Sequence, residues 1–315
     1  MFNGSGGGQY LCPARWGPYC RLLSPCFFRL PMFKKVFLAA LVLCALAGPL
    51  GAQTLKLATY NIRYDNKQDT ANAWHKRLPY LAGLIKFQDF DLFGTQEVLR
   101  NQLQDLAGAL PGYGHVGVGR DDGKEAGEYS AIFYKTAKFE LLKQGTFWLS
   151  PTPAVVSKGW DAALPRICTW GQFRDRGTGF VFYFFNTHFD HIGVVARRES
   201  AKLILARVQA LAGATPAILS GDFNVDQRDE SYALINASGR LKDAYATAAL
   251  VYAPNGTFND FNSRAKSDAR IDHIFLSPAF TVARYGILTD TYGGGKTPSD
   301  HYPVAIEARY ARPKK

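Results

Sequence analysis

The chain has 315 residues, 47% of them hydrophobic and 14% aromatic, with a formal net charge of +11. That is the composition of a packed globular protein, and it excludes a disordered or collagen-like chain. Residues 1–52 hold Arg15, Arg21, Arg29, Lys34 and Lys35 and no acidic residue, so the rest carries only +6. A balance this mild suits a phosphate-bearing substrate without implying a nucleic-acid groove.

The first segments read as processing signals. Met32-Phe33-Lys34-Lys35 is a short basic start, Val36–Ala47 is an unbroken apolar run, and Gly48-Pro49-Leu50-Gly51-Ala52 is a small-residue end. This is the pattern of a secretory signal over 32–52, too short to span a membrane, with cleavage expected after Ala52. The destination is the periplasm or the exterior. Residues 1–31, with Gly4-Ser5-Gly6-Gly7-Gly8 and three cysteines, have no place before such a signal. They are expected to be an unstructured upstream extension, with Met32 as the start. Cys44 follows Val42-Leu43 and lacks the small residue that a lipid-modified cysteine requires there. Beyond residue 52 the sole cysteine is Cys168, so the mature chain has no internal disulfide and rests on its core.

From 53 to 315 a single domain is expected, with no repeat of fixed period. The stretch 55–61 alternates like a strand, and 75–88 carries Leu78, Leu81, Leu84 and Ile85 at helical spacing. A short strand over 91–97 ends in Glu97. A helix over 99–110 stops at Pro111-Gly112. Strands are then predicted over 128–135, 139–150, 167–175 and 179–189, the last two joined by a turn at Arg176–Gly179. Ala201, Ile204, Leu205, Val208 and Leu211 make one apolar stripe on a helix over 194–211. A strand from Ala217 to Asp222, a short helix over 230–237 and strands over 269–277, 280–290 and 301–310 complete the chain. This order suits one α/β domain of antiparallel-rich sheets covered by helices better than a doubly wound parallel sheet.

Several of these strands deliver a polar group at one end: Asn61; Glu97; Asn186, His188 and Asp190; Asp222 and Asn224; Asp272; Asp300 and His301. Each has a structural use as well. Glu97 suits a helix N-terminus, His188 a core, and Asp300 a turn. Asp272, flanked by Ile271 and Ile274, needs a buried partner, and His301 is the natural candidate. There is no nucleophile elbow, no H-E-x-x-H, no paired-cysteine zinc pattern and no P-loop. Carboxylates, amides and histidines without thiols favour a hard divalent cation, Mg²⁺ with Mn²⁺ as the alternative.

"TYNIRYDN", "GTQEVL", "NTHFDH", "SGDFNVD", "RIDHIF" and "SDHYPV", in this order, resemble the motifs of the endonuclease/exonuclease/phosphatase superfamily, the fold of DNase I. The likeness spans about 55–310. It implies a four-layer α/β sandwich of two mixed, largely antiparallel sheets packed face to face, helices outside. It also implies Mg²⁺-dependent phosphoester hydrolysis by direct attack of water. Carried over motif by motif, Glu97 binds the metal with Asn61 and Asp300 beside it, and Asn61 also supports phosphate. Asp222 orients or deprotonates water, and Asn224 and His188 contact the phosphate. His301 donates to a phosphoryl oxygen, and Asp272 fixes its tautomer. The segment "KGWDAALPRICTW" resembles the deadenylase/nocturnin branch, where Arg166 would reach a phosphate; Trp160 and Trp170 suit base stacking or core packing. The leading expectation is a phosphodiesterase of the nuclease type, possible partners including nucleic acid. The alternative is a phosphatase on a small-molecule, inositol or lipid-linked phosphate. A sphingomyelinase-like diesterase and a non-catalytic phosphate-binding module rank lower. A monomer with no stable protein partner and no membrane span in the mature chain is expected.

Overall fold

The computed structural model describes residues 53–311; the extension and signal expected over 1–52 lie outside them. In chain order the first half contains β1 (Gln53–Asn61), a 3₁₀ helix (Lys67–Asn72), α1 (Trp74–Gln88), β2 (Leu92–Gln96), α2 (Arg100–Ala109), β3 (Tyr113–Val116), β4 (Ile132–Lys135) and β5 (Phe139–Trp148). The second half adds β6 (Ile167–Asp175), β7 (Val181–His188), α3 (Val194–Ala212), β8 (Ala217–Asp222), α4 (Glu230–Asn236), β9 (Lys242–Asp243), α5 (Ala244–Thr247), β10 (Leu250–Tyr252), β11 (Asp272–Leu276), β12 (Phe280–Ile287) and β13 (Val304–Tyr310).

These strands form a seven-stranded sheet, β10-β12-β13-β1-β2-β4-β3, and a six-stranded sheet, β5-β6-β7-β8-β11-β9. Pairing is mostly antiparallel, but the centre of each sheet holds one parallel pair, β1/β2 and β7/β8. A parallel pair needs a crossover, and here α1 and α3 supply it. Strands covered on both faces read as continuous apolar runs, and β8 is buried along its whole length.

Between the sheets lie Phe139, Phe173, Phe182 and Phe184 with Leu55, Leu57, Leu92, Ile218, Ile274, Val304 and Ile306. Leu81 and Ile85 of α1 and Leu103 and Leu106 of α2 cover the first sheet. Ala201, Ile204 and Val208 of α3 and Ile235 of α4 cover the second. The result is a four-layer α/β sandwich.

Two buried polar side chains, Gln96 and Asn186, meet between the sheets. Gln96 Nε2 donates to Asn186 Oδ1 (2.7 Å), and Asn186 Nδ2 donates to the carbonyls of Thr95 (2.8 Å) and Ala131 (3.0 Å). Ser220 Oγ also donates to Asn186 Oδ1, at 3.2 Å. Asn186, grouped in the sequence with the strand-end residues, is thus a staple between the sheets. Gly94 makes room for it, since a Cβ there would stand 2.2 Å from Asn186 Oδ1.

Elements depart from expectation mainly at their ends. The strand expected from 128 is regular only from Ile132, Tyr129 forming one isolated bridge to Val98. The last strand begins at Val304, after Pro303, which has no N–H to donate. β3, β9 and β10 went unforeseen because two to four residues are too few to show a period.

Candidate active site

The parallel pairs decide where the polar strand ends meet. β1 and β2 run together, pairing Asn61 with Gln96, and β7 and β8 pair His188 with Asp222. Their carboxyl ends therefore open onto one edge of the sandwich. β11 runs antiparallel to β8, which sets its first residue, Asp272, opposite Asp222. β13 runs antiparallel to β1, so the turn before it brings Asp300 and His301 to the same edge. The cleft there has a volume of about 560 Å³.

Asp222 is its centre. Oδ1 accepts from the Asn224 N–H (2.9 Å), and Oδ2 accepts from Asn61 Nδ2 (2.9 Å). The same Oδ2 lies 3.4 Å from His188 Nε2 and 3.8 Å from His301 Nε2. Burial and the nearby Asp272 push the Asp222 carboxyl up to about 7, with His301 and Asn61 pulling the other way.

The two imidazoles are held in opposite states. His301 Nδ1 donates to Asp272 Oδ2 at 2.9 Å. Burial opposes its charge, but Asp272, Asp222 and Asp300 raise it well above the ordinary histidine range. It is therefore a cation at neutral pH, with Nε2 turned toward the cleft. Burial lowers His188 well below that range, and Arg166 and Arg120 add to the effect, so His188 is neutral. Asn224 Nδ2 donates to His188 Nε2 at 3.0 Å, which leaves the ring proton on Nδ1, toward Glu128 Oε2 at 3.8 Å. Asn224 adopts φ 51°, a left-handed geometry that asparagine tolerates better than most residues.

Glu97 follows β2 with φ 61°. Its oxygens accept from Asn61 Nδ2 (3.0 Å) and from the Tyr64 N–H (3.2 Å). Asn61 therefore faces Glu97 and Asp222 as a donor, while its Oδ1 accepts from the Arg63 N–H at 3.0 Å. Burial pushes Asp300 up to about 6, Glu97 raising it further and His301 and Arg63 opposing. Arg77 of α1 holds this corner. Its guanidinium donates to the carbonyls of Asn72, Ile62, Pro298 and Arg63 at 2.6–3.0 Å, tying the loop after Asn61 to the one before Asp300.

Arg166 is buried on the opposite wall. Its Nε donates to Asp190 Oδ2 (3.4 Å), Nη2 meets His191 Nδ1 (3.0 Å), and Nη1 has no partner. Asp190 takes the N–H groups of Ile192 (3.0 Å) and Gly193 (2.7 Å) on its other oxygen. It is a positioning residue for Arg166 and the start of α3.

Asn61, Glu97, Arg166, His188, Asp222, Asn224, Asp272, Asp300 and His301 thus come together at one edge. Trp170 does not: it packs in β6 against Tyr183. Sequence reasoning passed over Glu128, Arg120 and Arg63. Glu128 takes a two-pronged pair from Arg120 at 2.7 and 2.9 Å, and nothing in its local sequence marks it. Arg63 stood inside a quoted motif but carried no recognised role.

Among the described residues, ligand atoms of Glu97, His188 and Asp222 lie within 4.8 Å of one another, as do those of Asp222, Asp272 and His301. Two carboxylates raised by burial, Asp222 and Asp300, with Glu97, an amide and imidazoles beside them, form a set that fits a hard dication.

Two mixed sheets with a carboxylate–imidazole cleft at the carboxyl ends of their central parallel strands define a DNase I-like phosphoesterase. The Endonuclease/Exonuclease/phosphatase family model matches residues 58–301, and the chain belongs to that family. It is similar to a mannosyl-6-phosphatase of Bacteroides thetaiotaomicron, with 52% identity and a TM-score of 0.80 over 81% of this chain and 99% of that one. An uncharacterized protein of Acanthamoeba polyphaga mimivirus is 28% identical over 74% of this chain and 91% of its own length. The human nocturnin catalytic domain shares the fold, with a TM-score of 0.64 at 16% identity over 83% of this chain and 98% of that one.

Proposed function

We propose that the protein is an exported, Mg²⁺-dependent phosphomonoesterase that removes phosphate from a phosphorylated sugar. The observation that carries this reading is the size and charge of the cleft. A volume of about 560 Å³ is that of a small-molecule pocket. Two arginines line it among the described residues, and both already hold carboxylates, Arg63 those of Asp69 and Asp300 and Arg166 that of Asp190. A polynucleotide groove needs cations for several phosphates; two arginines whose charge is already shared with carboxylates suit a single phosphoryl group. The sugar phosphatase similar over nearly its whole length supports the monoester over the diester expected from the motifs. Export rests on the leader pattern of 32–52.

The Arg166 guanidinium binds the phosphoryl oxygens, and Asn224 holds neutral His188 on the wall beside them. Asp222, poised near neutrality, takes a proton from the water that attacks phosphorus. As the bond from phosphorus to the sugar oxygen breaks, cationic His301 gives that oxygen a proton, its ring held by Asp272. The products are free sugar and inorganic phosphate. Glu97 and Asp300, with Asn61 beside them, would hold Mg²⁺, which when bound neutralises charge on the phosphoryl oxygens.

The test is phosphate release from mannose 6-phosphate and glucose 6-phosphate, beside bis-p-nitrophenyl phosphate and single-stranded RNA, with Mg²⁺ or EDTA. Sugar-phosphate turnover lost in EDTA supports the reading. Diester or RNA cleavage without monoester release would restore the nuclease reading instead.

A further inference from the structure

The cleft is chemically divided. Its floor, from Glu97 across Asp222 to the two imidazoles, accounts for phosphate, water and metal. The outer wall holds groups that phosphate chemistry does not use: Phe258, Asp260 and Leu164. Phe258 is 44% exposed although it lies beside the buried His301. Its ring meets the imidazole edge-on, with centroids 5.1 Å apart, and its backbone bridges to His301. Phe258 therefore walls the cleft beside the imidazole that gives up the proton.

Asp260 sits two residues further on. Its carboxylate is exposed, lines the cleft and has no protein partner among the described residues. The loop beneath it is firmly placed. The N–H groups of Asn259 (2.7 Å) and Asp260 (3.2 Å) donate to the Asp300 carbonyl, and Asn259 Nδ2 donates to the Ser299 carbonyl at 3.2 Å. Asp260 and Phe261 both adopt left-handed backbone, φ 51° and 56°, which costs a phenylalanine more than an aspartate. The fold thus fixes a bare carboxylate at the mouth of an anion-binding site.

We infer that Phe258 and Asp260 form the leaving-group subsite, and that it selects an uncharged polyhydroxylated ring over an anionic leaving group. The assignment rests on the functional reading above. A pyranose offers an apolar C–H face to an aromatic ring and hydroxyl donors to a carboxylate. A second phosphate in the same place would meet the like charge of Asp260.

The experiment compares kcat/KM on mannose 6-phosphate, p-nitrophenyl phosphate and 3′-phospho-adenosine 5′-phosphate for wild type, Asp260→Ala, Asp260→Asn and Phe258→Leu. The ratio of mannose 6-phosphate to p-nitrophenyl phosphate is expected to fall at least tenfold in Asp260→Ala, mainly through KM. Asp260→Asn, which keeps the turn geometry and hydrogen bonding, should lose less on the sugar and gain on the doubly phosphorylated nucleoside. Thermal unfolding of each variant separates a misfolded loop from a lost contact. If wild type turns over the sugar phosphate and the ratio in folded Asp260→Asn and Asp260→Ala stays within twofold, the subsite assignment is overturned alone. Wild type inert toward every hexose phosphate overturns the functional reading, and this assignment with it.

Discussion

Replacing Gly94 with alanine puts the contact between the two sheets under direct strain. The new methyl would lie 2.2 Å from Asn186 Oδ1, 2.5 Å from its Cγ and 2.7 Å from Ser220 Oγ. None of these can yield freely, because the Asn186 amide already makes four hydrogen bonds to both sheets. Pushing the amide aside strains bonds worth about 1 kcal/mol each, and overpacking adds about 1–3 kcal/mol. A loss of roughly 3–6 kcal/mol follows, a large part of the whole stability of an ordinary domain. At about 2–4 °C per kcal/mol for a chain of this size, the melting temperature should drop by about 6–24 °C. Circular dichroism melts and urea titrations of wild type, Gly94→Ala, Asn186→Ala and the double variant measure it. The smaller residue at 186 gives the methyl space, so the double variant should be more stable than the sum of the singles by about 1 kcal/mol or more. A Gly94→Ala melt within about 2 °C of wild type, or strict additivity, would refute the reasoning.

Asp222→Asn keeps the shape but cannot accept the water proton. Turnover is expected to fall by about 10²-fold or more while the variant stays folded, and retention of most activity would remove Asp222 from the base role. Arg77→Met abandons four backbone carbonyls. It should destabilise by roughly 3 kcal/mol or more and lower activity, since those carbonyls frame Asn61 and Asp300; a wild-type urea midpoint contradicts this. Cys168 is fully buried and its thiol is pushed far up by that burial. A thiol reagent should label it slowly in buffer and at once in guanidinium, and rapid native labelling would refute the placement. Burial opposes ionisation of Asp190, but the N–H groups of Gly193, Ala163 and Ile192 and the charge of Arg166 hold its carboxyl below the usual range. Its folded pKa is depressed, so its stabilisation is present above about pH 4 and lost as pH falls further. Wild type should exceed Asp190→Asn in melting temperature at pH 7, with the gap narrowing toward pH 3; a constant gap would count against the depressed pKa.

Local sequence determined much of this protein. The runs from Ala217 to Asp222 and from Val181 to His188 are apolar until their polar ends, which is what a strand covered on both faces must be. Helical spacing from Val194 and the Pro111-Gly112 stop are likewise short-range facts. So is the chemistry at the strand ends, because a carboxylate or amide closing an apolar run has to find a partner or a ligand. Order of motifs supplied the family. Tertiary structure alone decided the rest, because parallel pairing and sheet stacking join residues far apart in the chain. It made Asn186 a staple between the sheets, and put the unmarked Glu128 behind His188. It set both arginines of the cleft against carboxylates, Arg63 against Asp69 and Asp300 and Arg166 against Asp190, and so tempered the charge there. It also held the two histidines in opposite protonation states. Their charges depend on which carboxylates and guanidiniums face each ring across two sheets, a distance no local pattern encodes.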